Sequence, residues 1–275
     1  MKTKSQLLLA CSIMFAFGVK ASVDITPDFT GAPSGWATDR FAPNSFGNVG
    51  TFQGRDNVLG IGISSAQASA NRPSGQQVGF YNTQGDGYQF SSLQGVGSML
   101  SADLWISSSM ADSANGAIRT DMWGVMRDGA NAISDYPIIG FANTPNADGS
   151  GSSGGHFQVY DSSIGWTTIS TAVNYNSWNT LSIELTGSSC IFSVNGSDVF
   201  TVNDINGSVG FSSMIMQAYN FGDTATFPNV NSADYTAHWA NTAAVPEPST
   251  VVAGAILLLP FGVSTLRILR KSRKA

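Results

Sequence analysis

Between Lys20 and Lys271 the chain contains no lysine. Across residues 22–244 positive charge comes from Arg40, Arg55, Arg72, Arg119 and Arg127 alone, set against 17 carboxylates, for a formal charge of −12. Such a surface repels nucleic acid and anionic membranes. It suits an extracellular protein whose partners are divalent cations or neutral sugars. Glutamate is equally scarce, with Glu184 the only one in that stretch, and there are two histidines, His156 and His238. Of the two cysteines, Cys11 lies near the N-terminus, so Cys190 stands alone in the body and an internal disulfide there is excluded. Its place before Ile191-Phe192 reads as a small buried hydrophobe. No long stretch has helical periodicity, and no His-Glu-x-x-His pair or Walker loop is present, so the chemistries those motifs serve have no support.

What is present is alternation. Leu59, Ile61 and Ile63 alternate with small residues; Leu100, Ala102, Leu104 and Ile106 alternate with Ser101, Asp103 and Trp105. Ile118, Thr120, Met122 and Met126 alternate with Arg119, Asp121, Trp123 and Arg127, and Leu181, Ile183 and Leu185 with Ser182 and Glu184. A period of two predicts half-buried antiparallel strands. Within Cys190–Val202 the pair Asn195-Gly196 separates two apolar runs, which predicts a tight hairpin because both residues adopt positive φ cheaply. With the preceding Trp178-Asn179-Thr180-Leu181-Ser182-Ile183, this segment resembles the strand-and-hairpin unit of laminin-G-like and concanavalin-like domains. The resemblance implies an all-β fold, a jelly-roll-type antiparallel β-sandwich. An immunoglobulin-like sandwich or a β-solenoid could use the same hairpin.

The two ends differ from the body. Met1–Lys4 is charged, Leu7–Val19 is apolar, and Val19-Lys20-Ala21 offers a small-residue cleavage site, so residues 1–21 read as a signal peptide for signal peptidase. At the other end Val245-Pro246-Glu247-Pro248 precedes an apolar run, Val251 to Leu266. As a helix that run would span about 24 Å, somewhat less than the roughly 30 Å of a bilayer core, and Pro260 interrupts it. Arg267, Arg270, Lys271, Arg273 and Lys274 follow, a basic stop that stays cytoplasmic. This ordered triple resembles the PEP-CTERM sorting signal of exported proteins in Gram-negative bacteria. The resemblance implies an exosortase as transient partner at the inner membrane, delivery to the cell surface or extracellular matrix, and a link to exopolysaccharide and biofilm. A permanent single-pass anchor is the alternative. The expected organisation is signal peptide 1–21, β-sandwich 22–236, linker 237–244 and sorting signal 245–275.

The candidate site residues are few. Trp105 and Trp123, on polar strand faces, are the expected glycan-stacking pair. Glu184 lacks a glutamate partner for the two-carboxylate arrangement of glycoside hydrolysis and reads as a solvated residue, so no catalytic residue is assigned. His156 and His238 read as surface histidines rather than metal ligands, and no metal site is assigned. Calcium is the one ionic candidate, at Asn146, Asp148 and Ser150, whose oxygens suit a hard cation. The expectation is a non-enzymatic binding or structural protein of the polysaccharide matrix. The alternative is a polysaccharide-active hydrolase or lyase on the same scaffold.

Overall fold

The computed structural model describes residues 34–67, 82–145, 154–222 and 233–245, and the backbone pairing of Val23–Asp24. These lie in the unit Ala21–Glu247. The remaining sequence-predicted features, residues 1–21, 246–275 and the Asn146, Asp148, Ser150 loop, fall outside the described residues. Among the described residues no helix is long and apolar enough to cross a membrane.

The strands in chain order are β1 (Val23–Asp24), β2 (Trp36–Thr38), β3 (Ser45–Asn48), β4 (Leu59–Ile63), β5 (Thr83–Gly95), β6 (Met99–Ile106), β7 (Arg119–Asp128) and β8 (Ile133–Asp135). They continue with β9 (Ile138–Ala142), β10 (His156–Asp161), β11 (Gly165–Ile169), β12 (Ser177–Leu185), β13 (Cys190–Val194), β14 (Ser197–Val202), β15 (Ser208–Tyr219) and β16 (Tyr235–Val245). Sheet A has the order β14-β13-β12-β6-β16-β4-β3, with β1 also on β16; sheet B has the order β11-β10-β9-β7-β15-β5-β2, with β8 also on β7. Every strand pairing is antiparallel, and strands distant in sequence lie side by side in both sheets. The result is an all-β antiparallel sandwich with jelly-roll-like crossovers.

The alternation seen in the sequence sets the layers. Leu100, Ala102, Leu104, Leu181, Ile183, Met122 and Met126 are 0–1% exposed and meet Phe141, Phe157, Phe192 and Phe211 in one core between the sheets. The predicted hairpin forms between β13 and β14, with φ of 53° at Asn195 and 78° at Gly196. Cys190 is buried with its Sγ 3.7 Å from Met126 Sδ; burial, with Asp161 and Asp135 nearby, holds its thiol protonated.

One expectation fails outright. Residues 237–244, read as a linker, are the interior strand β16, which pairs with β4, β6 and β1. A bulge between Ala240 and Ala243, with Asn241 at φ 50°, breaks the alternation, and alanines supply half of the buried side chains. Both features erase the strand signal. The sandwich therefore extends past residue 236 to Val245, which pairs with Met99.

β16 also ties the sheets together. Trp239 donates its indole N–H to Thr120 Oγ1 (2.9 Å), whose hydroxyl donates to the Gln217 carbonyl (2.7 Å). The buried Tyr235 hydroxyl lies 2.7 Å from the carbonyls of Arg119 and Tyr219 and donates to one at a time. These bonds fix β7 and β15, the strands at the centre of sheet B.

Candidate functional site

The outer face of sheet B is where polar and aromatic groups converge. Met122, Phe157 and Met216 point into the core, so Asp121, Gln158 and Gln217 point outward, and the strand register lines them up. One row reads Gly85, Gln217, Asp121, Gly140, Gln158, Thr168 across β5, β15, β7, β9, β10 and β11. The next reads Gly87, Ile215, Trp123, Ile138, Tyr160, Trp166.

Asp121 is the hub of the first row. Arg119 Nε is 2.7 Å from its Oδ2, Gln158 donates to Oδ1 (3.3 Å) and Gln217 donates to Oδ2 (3.4 Å). Arg40 then donates to Gln217 Oε1 (3.3 Å) and pairs with Asp39 at 2.9 Å. The glycine at 140 is required, because a Cβ there would collide with the Asp121 carboxylate and the Thr120 carbonyl, cutting the bridge to Gln158. The guanidinium groups lie over aromatic rings: Arg40 over Trp123 (4.3 Å) and Arg119 over Trp166 (3.9 Å).

Hydrogen bonding on this face is incomplete. Trp123 Nε1, His156 Nε2, Gln158 Oε1 and Thr168 Oγ1 are all buried and have no partner. A buried polar atom left unpaired costs about 1–3 kcal/mol, and native proteins hold few of them. Four of them lie on this one sheet face. The His156 Nδ1 lies 2.7 Å from the Gly154 carbonyl and so carries the proton, which makes Nε2 a bare acceptor; burial lowers the imidazole's pKa and keeps it neutral.

Beside the Trp123 row opens a cleft of about 530 Å³, lined among others by Asp39, Arg40, Gln89, Arg127, Tyr136 and Ser213. Burial raises the pKa of Asp39 despite Arg40 beside it. Trp123 packs on two of the lining residues, under Arg40 and edge-on to Tyr136 with ring centroids 6.5 Å apart.

The expected pair Trp105 and Trp123 is not a pair. Trp105 is on β6 of sheet A and faces the opposite side of the sandwich, where Phe52, Trp178 and His238 pack around it. Two strands can each show an aromatic on a polar face without sharing a sheet, and alternation does not distinguish the cases. His238, expected at the surface, is half-buried and stacks on Phe52 at 3.9 Å, its pKa lowered by burial. His156, also expected at the surface, is 6% exposed. Glu184 is half-buried on the outer side of sheet A, on the far side of the core from the Asp121 row. Among the described residues no three His, Cys, Asp or Glu side chains group to hold a metal. The residues that sequence reasoning did not single out are Arg40, Gln158, Trp166, Thr168 and Gln217. They come together only through the strand order.

No family model matches this chain, and no curated protein does. Solved structures do. The structure described as an endo-acting O-glycanase of human gut bacteria is 11% identical, with a TM-score of 0.50, covering 82% of this chain and 99% of that one. A Bacillus licheniformis β-glucanase is 12% identical with a TM-score of 0.47, covering 82% and 98%. A carbohydrate-binding module from Bacillus subtilis is 11% identical with a TM-score of 0.37, covering 77% and 95%. At 11% identity the likeness to the O-glycanase structure shows the sandwich fold alone.

Proposed function

We propose that this chain is an exported protein that binds polysaccharide on the outer face of sheet B, in the extracellular matrix or at the cell surface. The carrying observation is the set of four buried, unpartnered polar atoms on the same face as an open cleft lined by Arg40 and Tyr136, the two side chains that pack on Trp123. Sugar hydroxyls both donate and accept, and sugar C–H faces stack on aromatic rings, so one ligand class satisfies both. The acids on this face are engaged: Asp121 has three partners and Asp39 is paired with Arg40. Hydrolysis by two carboxylates would need a free carboxylate opposite a proton donor, which favours binding. The PEP-CTERM-like tail supports export and sorting by an exosortase into that matrix.

The test is affinity electrophoresis of the purified full chain in gels cast with polysaccharide from its own host. Retardation that Trp123→Ala abolishes is expected; an unretarded chain would sink the reading. Intact mass of the protein recovered from host medium tests the sorting part, where loss of residues beyond about Pro248 is expected and an intact C-terminus in the envelope contradicts it.

A second reading, cleavage of polysaccharide, is favoured by the bare Nε2 of neutral His156, which could take a proton. New reducing or unsaturated ends that vanish in His156→Ala would establish it.

A further inference from the structure

We infer that the sugar recognised in the cleft is anionic, carrying a carboxylate or a sulfate ester, and that Arg127 is the residue that selects it. The inference rests on the polysaccharide-binding reading and gives it a ligand class. Four arginines are described, and three of them have an aspartate partner: Arg40 with Asp39, Arg55 with Asp103 and Arg119 with Asp121. Arg127 is the exception. Among the described residues no carboxylate pairs with it, although the body holds 17. Its one hydrogen bond among the described residues donates Nη1 to the Asn131 carbonyl at 2.7 Å, leaving most of its five N–H donors unused there.

That unpaired guanidinium lines the open cleft. The cleft's ionisable lining consists of Arg40, Arg127, Asp39 and the phenol of Tyr136, so the Arg40–Asp39 pair cancels and one positive charge remains. The stretch 22–244, which bears −12 in all, keeps its one uncompensated described cation in its open groove. A neutral sugar gains little from such a group, whereas a carboxylate or sulfate accepts two parallel hydrogen bonds from it. The surrounding negative charge does not prevent this, because at physiological ionic strength it is screened beyond about 8 Å and the contact pair is not. Tyr136, Ile133 and Val125 form the adjoining wall for the sugar ring.

The experiment is calorimetric titration of the full chain with three polymers: polygalacturonate for carboxylate, carrageenan for sulfate and lichenan as a neutral control. At least one acidic polymer is expected to bind about tenfold or more tightly than lichenan, and which one does so identifies the anion. Arg127→Gln, which keeps a donor for Asn131, is expected to bring that affinity down to the level at which the same variant binds lichenan, with the melting temperature unchanged. Arg127→Lys is expected to fall between the two, since it keeps the charge but not the two-point fork. Acidic polymers binding no better than lichenan, or a preference that survives Arg127→Gln, would overturn the inference and leave the polysaccharide reading intact. Failure of all three polymers and of the host's own polysaccharide would remove both.

Discussion

The two outer faces of the sandwich are built from the same residue types and end in opposite states. On sheet A, Trp105, Trp178 and His238 form a transverse row, and Phe52, from the loop before β4, lies against all three. That loop is tied down: Trp178 donates to the Gln53 carbonyl at 3.0 Å, and Asp103 accepts from Arg55, Thr180 and Asn241. None of the buried unpartnered side-chain atoms among the described residues lies on this face. On sheet B, Trp123, His156, Gln158 and Thr168 keep unused hydrogen-bonding atoms, and a cleft lies open beside them. Aromatic and charged side chains on a strand therefore do not define a binding site. On the proposed reading, what separates a structural face from a recognition face is whether the chain itself completes the bonding.

That contrast can be broken at its strongest point first. Asp103→Ala strips three donors of their acceptor and leaves Arg55 unpaired, so unfolding by denaturant is expected to show a loss of about 3 kcal/mol with polysaccharide binding intact. Trp105→Ala is expected to cost about 2 kcal/mol and no affinity, whereas Trp123→Ala costs less stability and lowers affinity about tenfold or more. A second pair uses one substitution on both faces. Thr180→Val loses the bond to Asp103 and should destabilise by about 1 kcal/mol; Thr168→Val deletes an unpartnered buried hydroxyl and should be neutral or stabilising by up to about 1 kcal/mol. Equal signs for the two would erase the distinction between the faces.

The smallest effect is in the pH dependence. Burial lowers the pKa of both His156 and His238 from the ordinary 6.5, so the folded chain binds fewer protons than the unfolded one as pH falls through that value. Their contribution to stability is complete above about pH 6.5 and is lost below it, by at most about 1.4 kcal/mol per pH unit for each group. Asp39, Asp86 and Asp161, raised by burial, act in the opposite direction, becoming less destabilising as pH falls toward their unfolded value of 3.8. The histidine part is therefore read as the difference between parent and variant. Denaturation between pH 7 and 5 should fall less steeply in His156→Gln and in His238→Asn. Saturating polysaccharide should alter the His156 difference and leave that of His238 unchanged.

Much of the fold could be read from the chain. β6, β7 and β12 follow the alternation residue by residue, and Asn195-Gly196 marks its turn. β16 could not, because the bulge at Asn241 shifts the period and half of its buried residues are alanines. The site was legible only in part. Trp123 and its outward neighbours on β7 follow from the period of two. The bridge from Asp121 to Gln158 and Gln217 depends on β9 and the sequence-distant β15 flanking β7, on β10 lying beyond β9, and on glycine at 140. No pattern along a single strand carries strand order, which is also why Trp105 and Trp123 looked like partners.

The most direct test of the difference between the faces is an NMR titration of the full chain with polysaccharide from its host, following the six tryptophan indole N–H signals. Shifts at Trp123 and Trp166, with Trp105 and Trp178 unmoved, are the predicted result. Shifts confined to Trp105 and Trp178, or none at all, would contradict the assignment of sheet B as the recognition face.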